Sequence, residues 1–210
     1  MSKITAIEPQ KRCGDRRSIF VDGEFVAGAH EDVIFALNLK VGQTFDPERL
    51  AEVIRTETAH KARDSALRLL SFRDRTKSEV RKRLIGSDYP EDIVDEVIDQ
   101  LSRMGFLDDE KFSRDWVKSR TTSKPMGKAR LVWELRAKGV DQPMVDEALE
   151  GLDEDAEYEL ALAAARKKAE KADISDPSFR NRLASFLRRR GFGWDAISKA
   201  LDELCPGDQD

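Results

Sequence analysis

Residues 78–101 read SEVRKRLIGSDYPEDIVDEVIDQL, residues 129–152 read ARLVWELRAKGVDQPMVDEALEGL, and residues 181–204 read NRLASFLRRRGFGWDAISKALDEL. They align without a gap. Val80, Leu84, Tyr89, Ile93, Val94, Val97, Ile98 and Leu101 recur as Leu131, Leu135, Val140, Met144, Val145, Ala148, Leu149 and Leu152. The third set is Leu183, Leu187, Phe192, Ala196, Ile197, Ala200, Leu201 and Leu204. Self-similarity at a fixed period of this size marks a repeat architecture.

Each copy reads as helix, turn, helix. Thr76-Lys77-Ser78-Glu79 is a capping box that starts the first helix of copy one; its equivalents start near Gly127 and, with Asp176 as N-cap and Pro177 as N1, near residue 177. Gly139 and Gly191 suit the left-handed residue that ends a helix. The second helix opens at Pro90, Asp141 or Trp194-Asp195 and carries an i, i+4, i+7 stripe such as Ile93, Val97 and Leu101. A further helix is predicted ahead of each pair, over 62–72, 109–119 and 153–172, with Asp108 as a good N-cap for the middle one. A three-helix unit of this size is near the lower limit for a self-sufficient core, so three are expected to stack into an elongated, curved array. The repeats are assigned to 61–107, 108–152 and 153–205, followed by a disordered tail, 206–210.

The first 45 residues differ in texture, and residues 1–60 are assigned to an N-terminal hairpin and helix extension. Ser18-Ile19-Phe20-Val21 and Glu24-Phe25-Val26-Ala27 flank Asp22-Gly23, a pair fitted to a two-residue type I′ turn. In that register Phe20 faces Phe25, and Ile19 pairs with Val26. Residues 4–7 offer a third strand, and Asp46-Pro47 opens the next helix. The fold class is therefore mainly α: three tandem three-helix repeats behind a small α+β extension built on a β-hairpin.

Composition narrows the function. The chain has 210 residues and is 37% charged, but 37 Lys and Arg nearly balance 41 Asp and Glu, so self-repulsion does not force disorder. No apolar run reaches the ~20 residues that span a bilayer, and residues 1–6 lack a signal-peptide core, so a cytoplasmic protein without a membrane partner is expected. Two cysteines, Cys13 and Cys205, and two histidines, His30 and His60, are too few for a metal cage or a nucleophile–base pair. No phosphate-cradling glycine loop is present. No catalytic residue, cofactor, metal or small-molecule substrate is expected.

Gly105-Phe106-Leu107-Asp108-Asp109-Glu110-Lys111-Phe112, followed by Trp116-Val117, is similar to the G-[FY]-[LI]-D-D-x-x-[FY] signature of the RecX regulatory proteins. Residues 78–84 and 134–140 resemble the same family's repeat-helix motifs, and an N-terminal hairpin like 4–29 occurs in some members. The resemblance implies three tandem three-helix repeats and no cofactor. It also implies inhibition of the RecA recombinase by insertion along the groove of its filament on single-stranded DNA. One departure stands out: Leu183-Ala184-Ser185-Phe186-Leu187 lacks the usual Glu before its second leucine.

The near-neutral total hides segregated charge. The first helix of each pair is basic and the second acidic, with Glu91, Asp92, Asp95, Glu96 and Asp99 in copy one and Asp146, Glu147 and Glu150 in copy two. One such run is an ordinary solvated face with local salt bridges. Three basic runs at one phase of a repeat are the footprint of a surface that docks on nucleic acid or a nucleoprotein. The candidate contact residues are Arg81, Lys82, Arg83, Lys128, Arg130, Trp133, Arg136, Lys138, Arg182, Arg188, Arg189 and Arg190. Trp133 points roughly opposite Leu131 and Leu135. It is expected to pack between helices, the alternative being a contact anchor. A major-groove reader is disfavoured because its second helix would be acidic. A helical-repeat adaptor and a sequence-independent DNA-binding protein remain alternatives.

Overall fold

The computed structural model describes residues 2–10, 13–170, 172, 176 and 178–205. Among them are four strands and ten helices, in two compact units, Met1–Leu107 and Asp108–Asp210. The expected disordered tail and the expected N1 residue Pro177 lie outside the described residues.

In the first unit β1 (Ser2–Gln10), β2 (Cys13–Val21), β3 (Glu24–His30) and β4 (Thr44–Phe45) form an antiparallel sheet of order β3-β2-β1-β4. Asp22 and Gly23 take φ of 50° and 88°, as a type I′ turn requires. Phe20 meets Phe25 edge to face at 6.0 Å. The expected pairing of Ile19 with Val26 is corrected: Ile19 lies opposite Ala27, because a register shift makes Val26 an extra residue on β3. That bulge puts Ala27 and Ala29 on the face of Ile19, where Ala29 is fully buried. Ile4, Ile19, Val21 and Ala29 pack against Val33 of α1 (Glu31–Ala36) and Leu50 and Ile54 of α2 (Pro47–Phe72).

Asp46 caps α2 by accepting the Glu48 N–H at 3.0 Å, with Pro47 in the first turn as expected. Helix α2 then runs for 26 residues, and the limit expected at 60/61 falls inside it, since nothing in Ala59-His60-Lys61-Ala62 interrupts a helix. Leu50 and Ile54 serve the sheet core, whereas Ala62 and Ala66 serve repeat 1. A second tie joins the same parts: Arg16 donates to the Asp88 carbonyl at 2.6 Å, and His30 stacks on Tyr89 at 6.5 Å. His30 also caps α1, its Nδ1 accepting the Asp32 N–H.

Repeat 1 is completed by α3 (Lys77–Ile85) and α4 (Glu91–Arg103). Repeat 2 is α5 (Asp109–Ser123), α6 (Lys128–Ala137) and α7 (Gln142–Ala148); repeat 3 is α8 (Glu154–Ala169), α9 (Phe179–Arg189) and α10 (Trp194–Leu204). The Thr76–Glu79 capping box and the Asp108 N-cap form as read. All 24 matched apolar positions are buried or half-buried, each fully buried leucine, such as Leu84, Leu135 or Leu187, contributing ~1.5–3 kcal/mol. The matched residue two or three positions beyond each first helix is left-handed in all three copies: Asp88 (φ 60°), Gly139 (79°) and Gly191 (80°).

Repeats 2 and 3 meet through backbone. The Gly127 N–H donates to the Arg190 carbonyl at 3.0 Å, and the Arg190 guanidinium donates to the Pro125 carbonyl at 3.0 Å. Glu157 accepts the Lys128 N–H at 2.8 Å and the Gly193 N–H at 3.3 Å, so one carboxylate serves the first turns of α6 and α10.

Candidate partner-binding surface

The twelve candidate residues divide by what holds them. Arg81 is drawn onto α4, its Nε 2.9 Å from Asp95 and an Nη 3.2 Å from Glu91, and these hydrogen bonds, Asp95 first, raise its pKa further. Arg130 donates to Glu134 at 3.1 Å. Arg182 donates to Asp176 at 2.6 Å; with the Ser178 N–H and hydroxyl this holds the Asp176 carboxyl down at about 2. Arg190 is spent on the Pro125 carbonyl. Lys138 is half-buried, its Nζ 4.4 Å from the Trp116 ring centre.

The others stand apart. Lys82, Arg83, Lys128, Arg136, Arg188 and Arg189 are exposed and have no ion pair among the described residues. Lys82, Arg83, Arg136, Arg188 and Arg189 lie in the last turns of α3, α6 and α9, where cations also favour the negative end of the helix dipole by ~0.3–1 kcal/mol. The acidic second helices are thus partly neutralised by arginines of the helices packed against them. Arg55 bridges Asp92 and Glu96, Arg114 reaches Glu147 at 3.6 Å, and Arg180 reaches Asp202 at 2.6 Å.

Trp133 is corrected from packing to surface: it is 58% exposed, with the Arg130 guanidinium 4.5 Å over its ring. Leu131 and Leu135 hold the core side of α6, and ~200° of helical rotation from Leu131 leaves position 133 outward. Trp133→Ala is therefore expected to change stability by no more than ~0.5 kcal/mol in a thermal melt. A loss of ~3 kcal/mol would restore the packing reading.

Sequence reasoning missed a cluster beneath this surface. Glu134, its side chain 10% exposed, accepts from Arg120, Arg130 and the Trp116 indole, each at 3.1 Å. Trp116 stacks on Phe112 at 5.7 Å and lies between Arg120 at 4.2 Å and Lys138 at 4.4 Å. The i, i+4 spacings of Phe112 with Trp116 and Arg130 with Glu134 were the available signal. The result fixes Arg130 and, through it, the Trp133 ring. Among the described residues no group of metal-binding side chains occurs, and no helix is long and apolar enough to cross a membrane.

Residues 2–46 match the Regulatory protein RecX N-terminal domain; 62–101, 108–149 and 155–201 match the first, second and third three-helix domains of RecX. The chain is 30% identical to the "Regulatory protein RecX" of Clostridioides difficile (strain 630) over 100% of its own length and 99% of that protein's. It is 39% identical to the protein of the same name from Mycolicibacterium vanbaalenii, over 71% of this chain and 84% of the other. A crystal structure of regulatory protein RecX matches 96% of this chain and 100% of its own, with a TM-score of 0.64 and 25% identity. The crystal structure of RecX from Lactobacillus salivarius matches 71% of this chain and 97% of its own, with a TM-score of 0.62 and 25% identity. The three helical repeats behind a small sheet are those of this group, and the chain belongs to the RecX family of regulatory proteins.

Proposed function

We propose that this protein binds the RecA recombinase filament on single-stranded DNA and restrains its ATP hydrolysis, strand exchange and growth. On this reading it acts in the cytoplasm, modulates recombinational repair and the SOS response, and catalyses nothing itself. Membership of a regulatory family supports the reading, and one observation carries it. The first helices present exposed cations that have no ion pair among the described residues, Lys82 and Arg83, Lys128 and Arg136, and Arg188 and Arg189, with Trp133 exposed beside the middle pair. Cationic helix ends of this kind, on each unit, suit a polyanionic filament, where released counterions make binding salt-dependent.

Titrating the protein into RecA-catalysed ATP hydrolysis on single-stranded DNA tests it. Inhibition is expected at stoichiometric amounts, and its absence there rejects the reading. Reversing Lys82 and Arg83, or Arg188 and Arg189, to glutamate should weaken inhibition and lower the salt slope by roughly 1 for each phosphate-binding cation removed, with helicity unchanged. Unchanged inhibition across a salt series would remove this surface from the interface. Trp133→Ala, stable as argued above, should weaken inhibition as well.

A further inference from the structure

Repeat 3 differs from repeat 2 at Phe186, where repeat 1 has Arg83. The matching position in repeat 2 is Glu134, which gathers Arg120 and Arg130; repeat 3 has a phenyl ring there instead. Cations gather around the ring all the same. The Arg190 guanidinium lies 4.8 Å from its centre, and Lys168 Nζ lies 5.8 Å away. The half-buried ring stands between two clefts that it lines together with Lys168. One, of about 450 Å³, adds Asn181, Arg182 and Arg189; the other, of about 410 Å³, adds Lys124, Lys167 and Arg190. Both volumes are those of small-ligand sites, ~300–1,000 Å³. Glu170, at the second cleft, is the one carboxylate lining either among the described residues. Lys124, Lys167 and Arg189 have no ion pair there, whereas Arg182 is held by Asp176 and Arg190 by the Pro125 carbonyl.

We propose that Phe186 is the stacking platform of a nucleotide subsite for single-stranded polynucleotide, one base lying against the ring and the flanking phosphates meeting Lys167, Lys168 and Arg189. A ring set among cations that lack carboxylate partners calls for a ligand with both an anionic backbone and flat π-faces. An acidic peptide supplies only the first, and a duplex hides its base faces in the stack. The proposal rests on the filament reading for the class of partner, and what it adds is the place of one base, against the Phe186 ring.

The test is fluorescence anisotropy of a labelled oligo(dT) with the full chain, no recombinase present. Phe186→Leu, which keeps an apolar body for packing, should raise Kd about tenfold. An abasic strand of the same length should lose a similar factor with the unsubstituted chain. A strand carrying 5-iodouracil should cross-link on irradiation to Phe186, which decides the matter even where Phe186→Leu folds poorly. Failure of the unsubstituted chain to bind oligo(dT), equal affinity for the abasic strand or for duplex, or cross-links that avoid Phe186 would overturn the subsite. Binding through Phe186 without inhibition of RecA would reject the filament reading and keep the subsite; inhibition without Phe186-dependent binding would do the reverse.

Discussion

Replacing Gly127 with alanine is expected to force repeats 2 and 3 apart. A Cβ at this position would lie closer than 3.0 Å to Gly191 O, Gly191 C and Phe192 Cα, all backbone atoms that cannot rotate aside. The start of α6 must then retreat from the end of α9, breaking the Gly127–Arg190 hydrogen bond and the fit around Phe192, which is 5% exposed. Ordinary overpacking costs ~1–3 kcal/mol, and a clash of backbone on backbone belongs at or above the top of that range. Urea denaturation should show a lower midpoint or a separate early transition as the two repeats lose their cooperativity. Gly151, where a methyl group would meet nothing within 4 Å, is the matching control, and its alanine variant should unfold like the parent. A Gly127→Ala midpoint equal to that of Gly151→Ala would show that the close approach is not required.

The second large effect is expected at Glu134. Its removal leaves two guanidinium groups and an indole N–H without their shared acceptor, beside the Lys138 ammonium. Breaking a fully buried pair costs ~3–5 kcal/mol; because Arg120 and Arg130 are 29% and 42% exposed and can turn to water, about 2–3 kcal/mol is expected for Glu134→Ala. Glu134→Gln retains the shape and one acceptor oxygen and should lose less. Equal stability of the alanine variant and the parent in chemical denaturation would mean that the cluster adds nothing to the fold.

Periodicity and caps were legible because they are local. Val80 with Leu84, Leu131 with Leu135 and Leu183 with Leu187 face the core because residues four apart share a helix face, and Thr76, Asp108 and Asp46 cap as their positions imply. What was not legible depends on approach between elements. The pairing of Arg81 with Glu91 and Asp95 requires the angle between α3 and α4, and the Val26 bulge requires knowing which β3 residues reach the core. Gly127 resembled an ordinary helix start until the Gly191 backbone was placed against it. The basic runs were found in the sequence, but which cations are spent internally was set by carboxylates on other helices. In the sequence Glu134 is one negative charge among Lys128, Arg130, Arg136 and Lys138, with nothing local to mark it as an organiser.

Helix α2 gives the first unit a constraint of a different kind. Because one uninterrupted helix enters both the sheet core and repeat 1, it works as a keyed shaft, with a part mounted at each end. Adding or deleting a single residue between Ile54 and Ala62 would turn one part by ~100° and slide it by ~1.5 Å relative to the other. Arg16 would then miss the Asp88 carbonyl and His30 would miss Tyr89, although none of these four residues had changed. The spacer therefore carries its information as a number of residues more than as their identities: its exposed positions tolerate exchange, and its phase does not.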